Sequence, residues 1–273
     1  MSDLQDLPTG IQNSRRHLMK MGTIAASAIF AGLMKTTPAA AGPPRPPGPP
    51  PGRPGRGPMC FLKGTTIRTA DGGRKVEDLA VGDLLPTVFG GIRPIQWIGR
   101  YPFKKSDPAK AWVRDVLPVR VARSALGPDV PYADLYLTKP HSLFIDGVLV
   151  PVCNLINGTT ITLYDASALD ELEYFHIKLE RHDVIYAEGA PCDTLLNVDD
   201  NAVNFAEYLR QYGPPTSEDI PCAPWLGYGP CIELASRFRS AISPWIDRRQ
   251  KLDIIRDKLE ERGIALLQQS ELA

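Results

Sequence analysis

From Thr65 onward, short runs with every second residue apolar are separated by turn residues, the spacing expected of an all-β domain. Thr66-Ile67-Arg68-Thr69 meets Asp71-Gly72-Gly73; Val76 and Leu79 lead to a turn at Gly82-Asp83 and to Leu84-Leu85; Gly90-Gly91 precedes Ile92 to Ile98. Leu143-Phe144-Ile145 and Val148-Leu149-Val150 flank Asp146-Gly147, the strongest two-residue hairpin signal in the chain. Another turn falls at Asn157-Gly158. Phe175, Ile177 and Leu179 alternate with Tyr174, His176, Lys178 and Glu180, which predicts one buried and one polar face. The three-to-four spacing of amphipathic helices is largely missing until about Ala190.

Beyond Ala190 the strand pattern fades and helices are expected. One is predicted within Ala202 to Tyr212 and ends at Gly213-Pro214-Pro215; two more are predicted over 231–242 and 244–262, with Ser243-Pro244 as a start signal and Gly263 as a stop. Leu252, Ile255 and Leu259 form an apolar stripe. It suits either a partner or the β domain itself, and packing back onto the β domain is the expectation.

The front of the chain is different. Ser14-Arg15-Arg16-His17-Leu18-Met19-Lys20, an apolar run from Met21 to Leu33 and Ala39-Ala40-Ala41 resemble a twin-arginine export signal with its cleavage site. The apolar run is about 13 residues, short of the roughly 20 that span a bilayer. A signal peptide over 1–41 is therefore expected, with export as the localisation and no other membrane contact. Residues 42–59 form a Pro/Gly-rich tether, extended and unable to pack a core. Nine of the 27 prolines fall within this stretch.

Net charge is zero, so no basic footprint argues for nucleic acid. Five cysteines (Cys60, Cys153, Cys192, Cys222 and Cys231), without any CxxC pair, and only four histidines leave a zinc site little to stand on; no metal or cofactor is expected. In an oxidising compartment Cys222 and Cys231 are the pair placed to bridge, and Cys60 is then the natural odd thiol. Cys153, set between apolar residues, reads as core. Oligomeric state is not legible.

The tether stops at Met59, and the β-type sequence opens with Cys60-Phe61-x-x-Gly64-Thr65-x-Ile67, followed by Val76-Glu77-Asp78-Leu79-x-Val81-Gly82-Asp83. Leu137-Thr138-Lys139-Pro140-His141-Ser142-Leu143 carries a Thr-x-x-His block, and Leu149 to Gly158 and Ile177 to Gly189 complete the series. Four blocks in this order, starting at a cysteine, resemble the Hedgehog/intein (Hint) domain, and its bacterial intein-like branch more than animal Hedgehog. The resemblance covers 60–189 and implies a mainly β, horseshoe-like fold with pseudo-twofold symmetry, followed here by a helical extension over 190–273. It implies that the chain cuts its own Met59–Cys60 bond in a single turnover by an N–S acyl shift. In that role Cys60 is the nucleophile, His141 the acid that protonates the departing amine, and Thr138 a partner of the scissile peptide. His176 occupies a strand position where relatives place a residue assisting later steps, although a solvated surface histidine fits the polar face equally well. His182 and Asp183, in a turn-like stretch, are weaker candidates.

Splicing needs a terminal asparagine, usually after histidine, and no Asn here follows a His. Cleavage without ligation is therefore expected, with water or an external nucleophile resolving the thioester. No sterol-recognition segment is identifiable. The competing expectation is an exported, catalytically silent Hint-like scaffold or adhesion module.

Overall fold

Short strands joined by tight turns carry the chain through two antiparallel sheets. The structure, a computed structural model, describes residues 59–198, 200–214, 220–226, 240, 243 and 249–271. The chain divides into two units, Met1–Gly48 and Pro49–Ala273, and everything described belongs to the second. The expected signal peptide, the tether up to Pro58, the helix over 231–242 apart from residue 240, and Cys231 lie outside the described residues.

In chain order the strands are β1 (Phe61–Leu62), β2 (Thr66–Thr69), β3 (Gly72–Lys75), β4 (Leu84–Thr87) and the long β5 (Gly91–Lys104). Then come β6 (Val119–Val121), β7 (Leu135–Leu137), β8 (Ser142–Ile145), β9 (Val148–Pro151) and β10 (Ile161–Leu163). The series closes with β11 (Glu171–Leu179), β12 (Val184–Ala187) and β13 (Ala190–Asp193). A seven-stranded sheet runs β10-β6-β7-β1-β11-β5-β4, and a six-stranded sheet runs β3-β2-β12-β13-β8-β9. Asp146 (φ 50°) and Gly147 (φ 81°) both take the left-handed conformation that a type I′ turn requires, and β8 and β9 pair on either side of them.

The main core gathers Phe61, Ile67, Leu85, Leu137, Leu143, Val150, Phe175, Ile177 and Ile185 from both sheets. A second apolar cluster surrounds Cys60, with Trp97, Tyr101, Leu172, Tyr174, Leu195, Val198 and Tyr208. Together they correct the expectation of one polar face on β11. Leu172 and Tyr174 face one cluster and Phe175, Ile177 and Leu179 the other, so that His176 and Lys178 are buried as well. The strand lies between β1 and β5 in the sheet, and the segment after Asp193 covers its second face.

Strand structure also continues past the expected limit. β13 pairs with β12 and with β8, so Ala190–Asp193 belongs to the sheet.

Helix α1 (Phe205–Tyr212) ends where Gly213 (φ 76°) donates its N–H to the Leu209 carbonyl at 3.0 Å. It is fastened along β5: the Arg100 N–H donates to Asn204 Oδ1 (3.1 Å), Asn204 Nδ2 to the Ile98 carbonyl (2.8 Å), and the Tyr212 hydroxyl to the Gln96 carbonyl (2.6 Å).

Helix α2 (Lys251–Glu271) begins with Asp253 accepting the Gln250 N–H at 2.8 Å, one half of a capping box. Its Leu252, Ile255 and Leu259 are buried in the main core, so the apolar stripe packs back onto the β domain. The helix runs straight through Gly263, which sequence reasoning took for a stop. Gly263 instead permits close approach: a Cβ there would lie 2.6 Å from Thr159 Oγ1. Among the described residues no helix is long and apolar enough to cross a membrane.

Candidate active site

The two-residue strand β1 fixes the site. Phe61 is opposite Leu137 of β7 on one side and Phe175 of β11 on the other. In antiparallel pairing, one step back on β1 is one step forward on each neighbour. Cys60 is therefore flanked by Thr138 and His176. The Cys60 N–H donates to Thr138 Oγ1 at 2.7 Å, in place of the backbone carbonyl a regular ladder would use, and the Thr138 N–H donates back to the Cys60 carbonyl at 3.0 Å.

A turn carries the chain from Thr138 to His141, closed by the His141 N–H donating to the Thr138 carbonyl at 3.1 Å. The His141 carbonyl accepts the Val152 N–H at 2.8 Å, which ties the turn to the end of β9. The imidazole lands against Phe61, with ring centroids 4.4 Å apart, and lies 5.2 Å from the His176 ring. It faces the backbone of Met59 and the carboxyl of Asp193, whose Oδ1 is 3.3 Å from Nε2. Neither ring nitrogen makes a hydrogen bond of full geometry. Both ends of the Met59–Cys60 peptide thus meet a side chain of the Thr-x-x-His block: the carbonyl side faces His141, and the N–H is held by Thr138.

Burial governs the charges. His141 is completely enclosed, and desolvation pushes its pKa down to about 3, against the opposite pulls of the Met59 and Asp193 backbones. His176 falls well below the usual value for the same reason, with the neighbouring His141 and His182 adding to the shift. Asp193 moves the other way. Burial raises it to about 8, although the Ser142 N–H donates to its Oδ1 at 3.0 Å and the Trp225 side chain also favours the anion. Both shifts favour the uncharged forms, the protonated carboxyl and the neutral imidazole. Across Cys60, burial and the neighbouring thiol raise the Tyr174 phenol, which donates to the Val116 carbonyl at 2.7 Å.

Cys60, Thr138, His141 and His176 are therefore brought together. His176 is enclosed rather than solvated, because β11 is covered on both faces. His182 lies near this group and Asp183 beside it, but they bond to other parts of the fold. His182 Nδ1 accepts the Cys222 N–H at 3.0 Å, while Asp183 pairs with Arg93 at 3.1 Å and accepts the Phe89 N–H at 3.0 Å, a strut between loops. Cys153, expected in the core, is only partly buried and joins none of the apolar clusters, although burial still raises its thiol pKa. Cys60, Cys153, Cys192 and Cys222 are all thiols; the other half of the contemplated Cys222–Cys231 bridge lies outside the described residues. Among the described residues no group of three or more His, Cys, Asp or Glu is arranged to hold a metal ion.

Sequence reasoning missed Asp193. The available signal was an acid closing the apolar-turn-apolar run Val184 to Cys192, but that run was cut at Gly189.

The Hint domain family matches residues 59–199. No curated protein matches the chain. Among solved structures, the gp41-1 intein is 14% identical, with 50% of this chain and 98% of that chain covered at a TM-score of 0.35. A DnaB intein from Synechocystis sp. PCC 6803 is 12% identical over 50% of this chain and 99% of its own, with a TM-score of 0.35. The bacterial intein-like domain from Clostridium thermocellum is 11% identical over 51% of this chain and 100% of its own, also at 0.35. Likenesses this loose add nothing to the family match, which spans more than half of the chain and begins one residue before Cys60. The chain belongs to the Hint domain family.

Proposed function

We propose that this chain is a self-processing domain that cuts its own Met59–Cys60 bond by an N–S acyl shift, without splicing. The observation that carries the reading is the engagement of that one peptide from both ends, with Thr138 Oγ1 on the Cys60 N–H and His141 facing Met59.

The step balances without any co-reactant. Cys60 Sγ bonds to the Met59 carbonyl carbon, the bond from that carbon to the Cys60 nitrogen breaks, and the thiol proton ends on the released amine. Nucleophile and target are neighbours in the chain, so alignment alone contributes several kcal/mol, up to roughly 7–11 at its ideal. Cysteine suits the role because its thiol, with a pKa near 8.5, needs little activation at pH 7. A neutral His141 fits a relay that takes a proton from sulfur and hands it to nitrogen, rather than a standing acid. His176, tilted against it with both nitrogens buried, supports the ring and assists the later step.

Water or an external nucleophile then resolves the thioester. Cys60 is fully buried against Leu195, Val198 and Tyr208, so either must displace the segment after Asp193. In the same reading the two sheets form the horseshoe, with its pseudo-twofold relation, and residues 1–41 direct export through the twin-arginine route. Cutting Met59–Cys60 before export would part the signal from its cargo, so cleavage is slow until the protein has crossed or a nucleophile is supplied.

Purified full-length chain incubated with a small thiol is expected to yield a large fragment beginning at Cys60, and Cys60→Ala to stay intact. Equal persistence of the two would overturn the reading. The burial of Cys60 favours the second reading, an exported scaffold that keeps the shape without the chemistry. A mature protein beginning at Gly42 and stable to thiol would establish it.

A further inference from the structure

We propose that Asp193 is a positioning residue for the acyl shift: through its contact with Nε2 it sets the tautomer of His141, so that the other ring nitrogen, Nδ1, carries the hydrogen toward the scissile peptide. The proposal rests on the self-cleavage reading above and adds to it a residue from the far end of the domain.

Three observations carry it. Asp193 and His141 are both completely enclosed, and Oδ1 lies 3.3 Å from Nε2. The placement is built in by the sheet, since Cys192 pairs with Leu143 across β13 and β8 and the Ser142 N–H donates to the same Oδ1 at 3.0 Å. The two residues meet where the sheets meet: Cys60 and Thr138 come from the seven-stranded sheet, while Asp193 and the strand that follows His141 come from the six-stranded one. A buried carboxyl opposes stability unless its partners need it.

The chemistry follows from the pair being neutral. With the proton on the carboxyl, Asp193 donates to Nε2, which can then only accept. A neutral imidazole carries one N–H, so that hydrogen is left on Nδ1, the nitrogen Asp193 does not hold, in a ring that also faces the Met59 backbone. As His141 gives the Nδ1 proton to the departing Cys60 nitrogen, it takes the carboxyl proton at Nε2. The thiol proton, released as the sulfur bonds to the Met59 carbonyl carbon, passes to the vacated Nδ1. Nε2 returns its proton to Asp193, so the pair ends as it began and nothing is consumed. Groups facing the pair are His176 of β11, His182 ahead of β12, Cys192 of β13, the side chains of Ser142 and Trp225, and the Cys222 thiol.

The test uses the full chain and has two arms. In Cys60→Ala, which cannot cleave, nitrogen-15 NMR of labelled histidine, assigned by adding His141→Ala, is expected to show His141 protonated at Nδ1. Asp193→Asn on the same background keeps a carbonyl oxygen where the Ser142 N–H donates, and that oxygen can only accept from Nε2. The variant is therefore expected to change that assignment. A wild-type Nε2–H tautomer, or one that Asp193→Asn leaves untouched, overturns the proposal whether or not the chain cleaves. In the cleavage-competent chain, Asp193→Asn is expected to slow thiol-induced cleavage at neutral pH roughly 10- to 100-fold and to abolish the decline in rate on the alkaline side, with Asp193→Glu restoring part of both. An unchanged rate and pH profile in Asp193→Asn also overturns it. Failure of wild type to cleave sinks the proposed function alone, because the tautomer still reports on the contact.

Discussion

Replacing Thr138 by valine tests how the scissile peptide is held. The two side chains have nearly the same shape, so the change exchanges one hydroxyl for a methyl and leaves packing intact. What is lost is the acceptor for the Cys60 N–H, now 2.7 Å away in a site closed to water. A buried donor left without a partner costs about 1–3 kcal/mol. The backbone bond from the Thr138 N–H to the Cys60 carbonyl, at 3.0 Å, survives and keeps β1 and β7 aligned. Urea denaturation in the Cys60→Ala background, where cleavage cannot interfere, is expected to register that loss. If the same interaction aligns the peptide in the transition state, single-turnover cleavage slows by about 5- to 150-fold, at tenfold per about 1.4 kcal/mol. Thr138→Ser, which keeps the hydroxyl, should stay close to wild type in both assays. A stability loss with an unchanged cleavage rate would refute the alignment argument and leave Thr138 as a staple between strands.

Gly263→Ala is expected to lower the melting temperature. In an open helix it would stabilise by about 1 kcal/mol, but here the new Cβ meets Thr159 Oγ1 at 2.6 Å, so a rise in Tm would contradict the close approach. Ile255→Ala should cost about 2–5 kcal/mol in urea denaturation, the range for a buried aliphatic side chain, and a loss below about 0.5 kcal/mol would mean that α2 does not share the core. Stability should also fall as pH rises from about 6.5 toward about 8. There the folded chain still holds the Asp193 proton while the unfolded chain, with an ordinary carboxyl near 3.9, does not, a slope of up to about 1.4 kcal/mol per pH unit. Below about 6.5 the sign reverses for His141, since the unfolded chain binds a proton that the buried ring refuses down to about 3. Urea midpoints across pH 6.5–8 check this, and Asp193→Asn should flatten the alkaline side; a slope that persists in the variant would assign it to another group.

Local chemistry was legible where it is self-contained. Asp146-Gly147 announces its hairpin because two left-handed residues in a row have few other uses, and the Thr-x-x-His spacing is what one turn needs to bring both side chains to Cys60. What could not be read depends on layers distant in sequence. His176 lies on a face that looks polar by alternation, and only the segment running from Leu195 to α1 turns that face inward. Gly263 carries the signature of a helix stop, yet tertiary contact with the Thr159 turn gives it another role. Asp193 meets Ser142 across 51 positions of sequence, a proximity created by the pairing of β13 with β8.

The central claim is that the Cys60 sulfur takes over the acyl group of Met59. Hydroxylamine cuts a thioester and leaves ordinary peptides alone under mild conditions, so the intact mass of the leader fragment after treatment of purified full-length protein reports it directly. The account predicts a leader ending in the Met59 hydroxamate from wild type and none from Cys60→Ala. An uncleaved wild-type chain, or the same leader from both proteins, would contradict it.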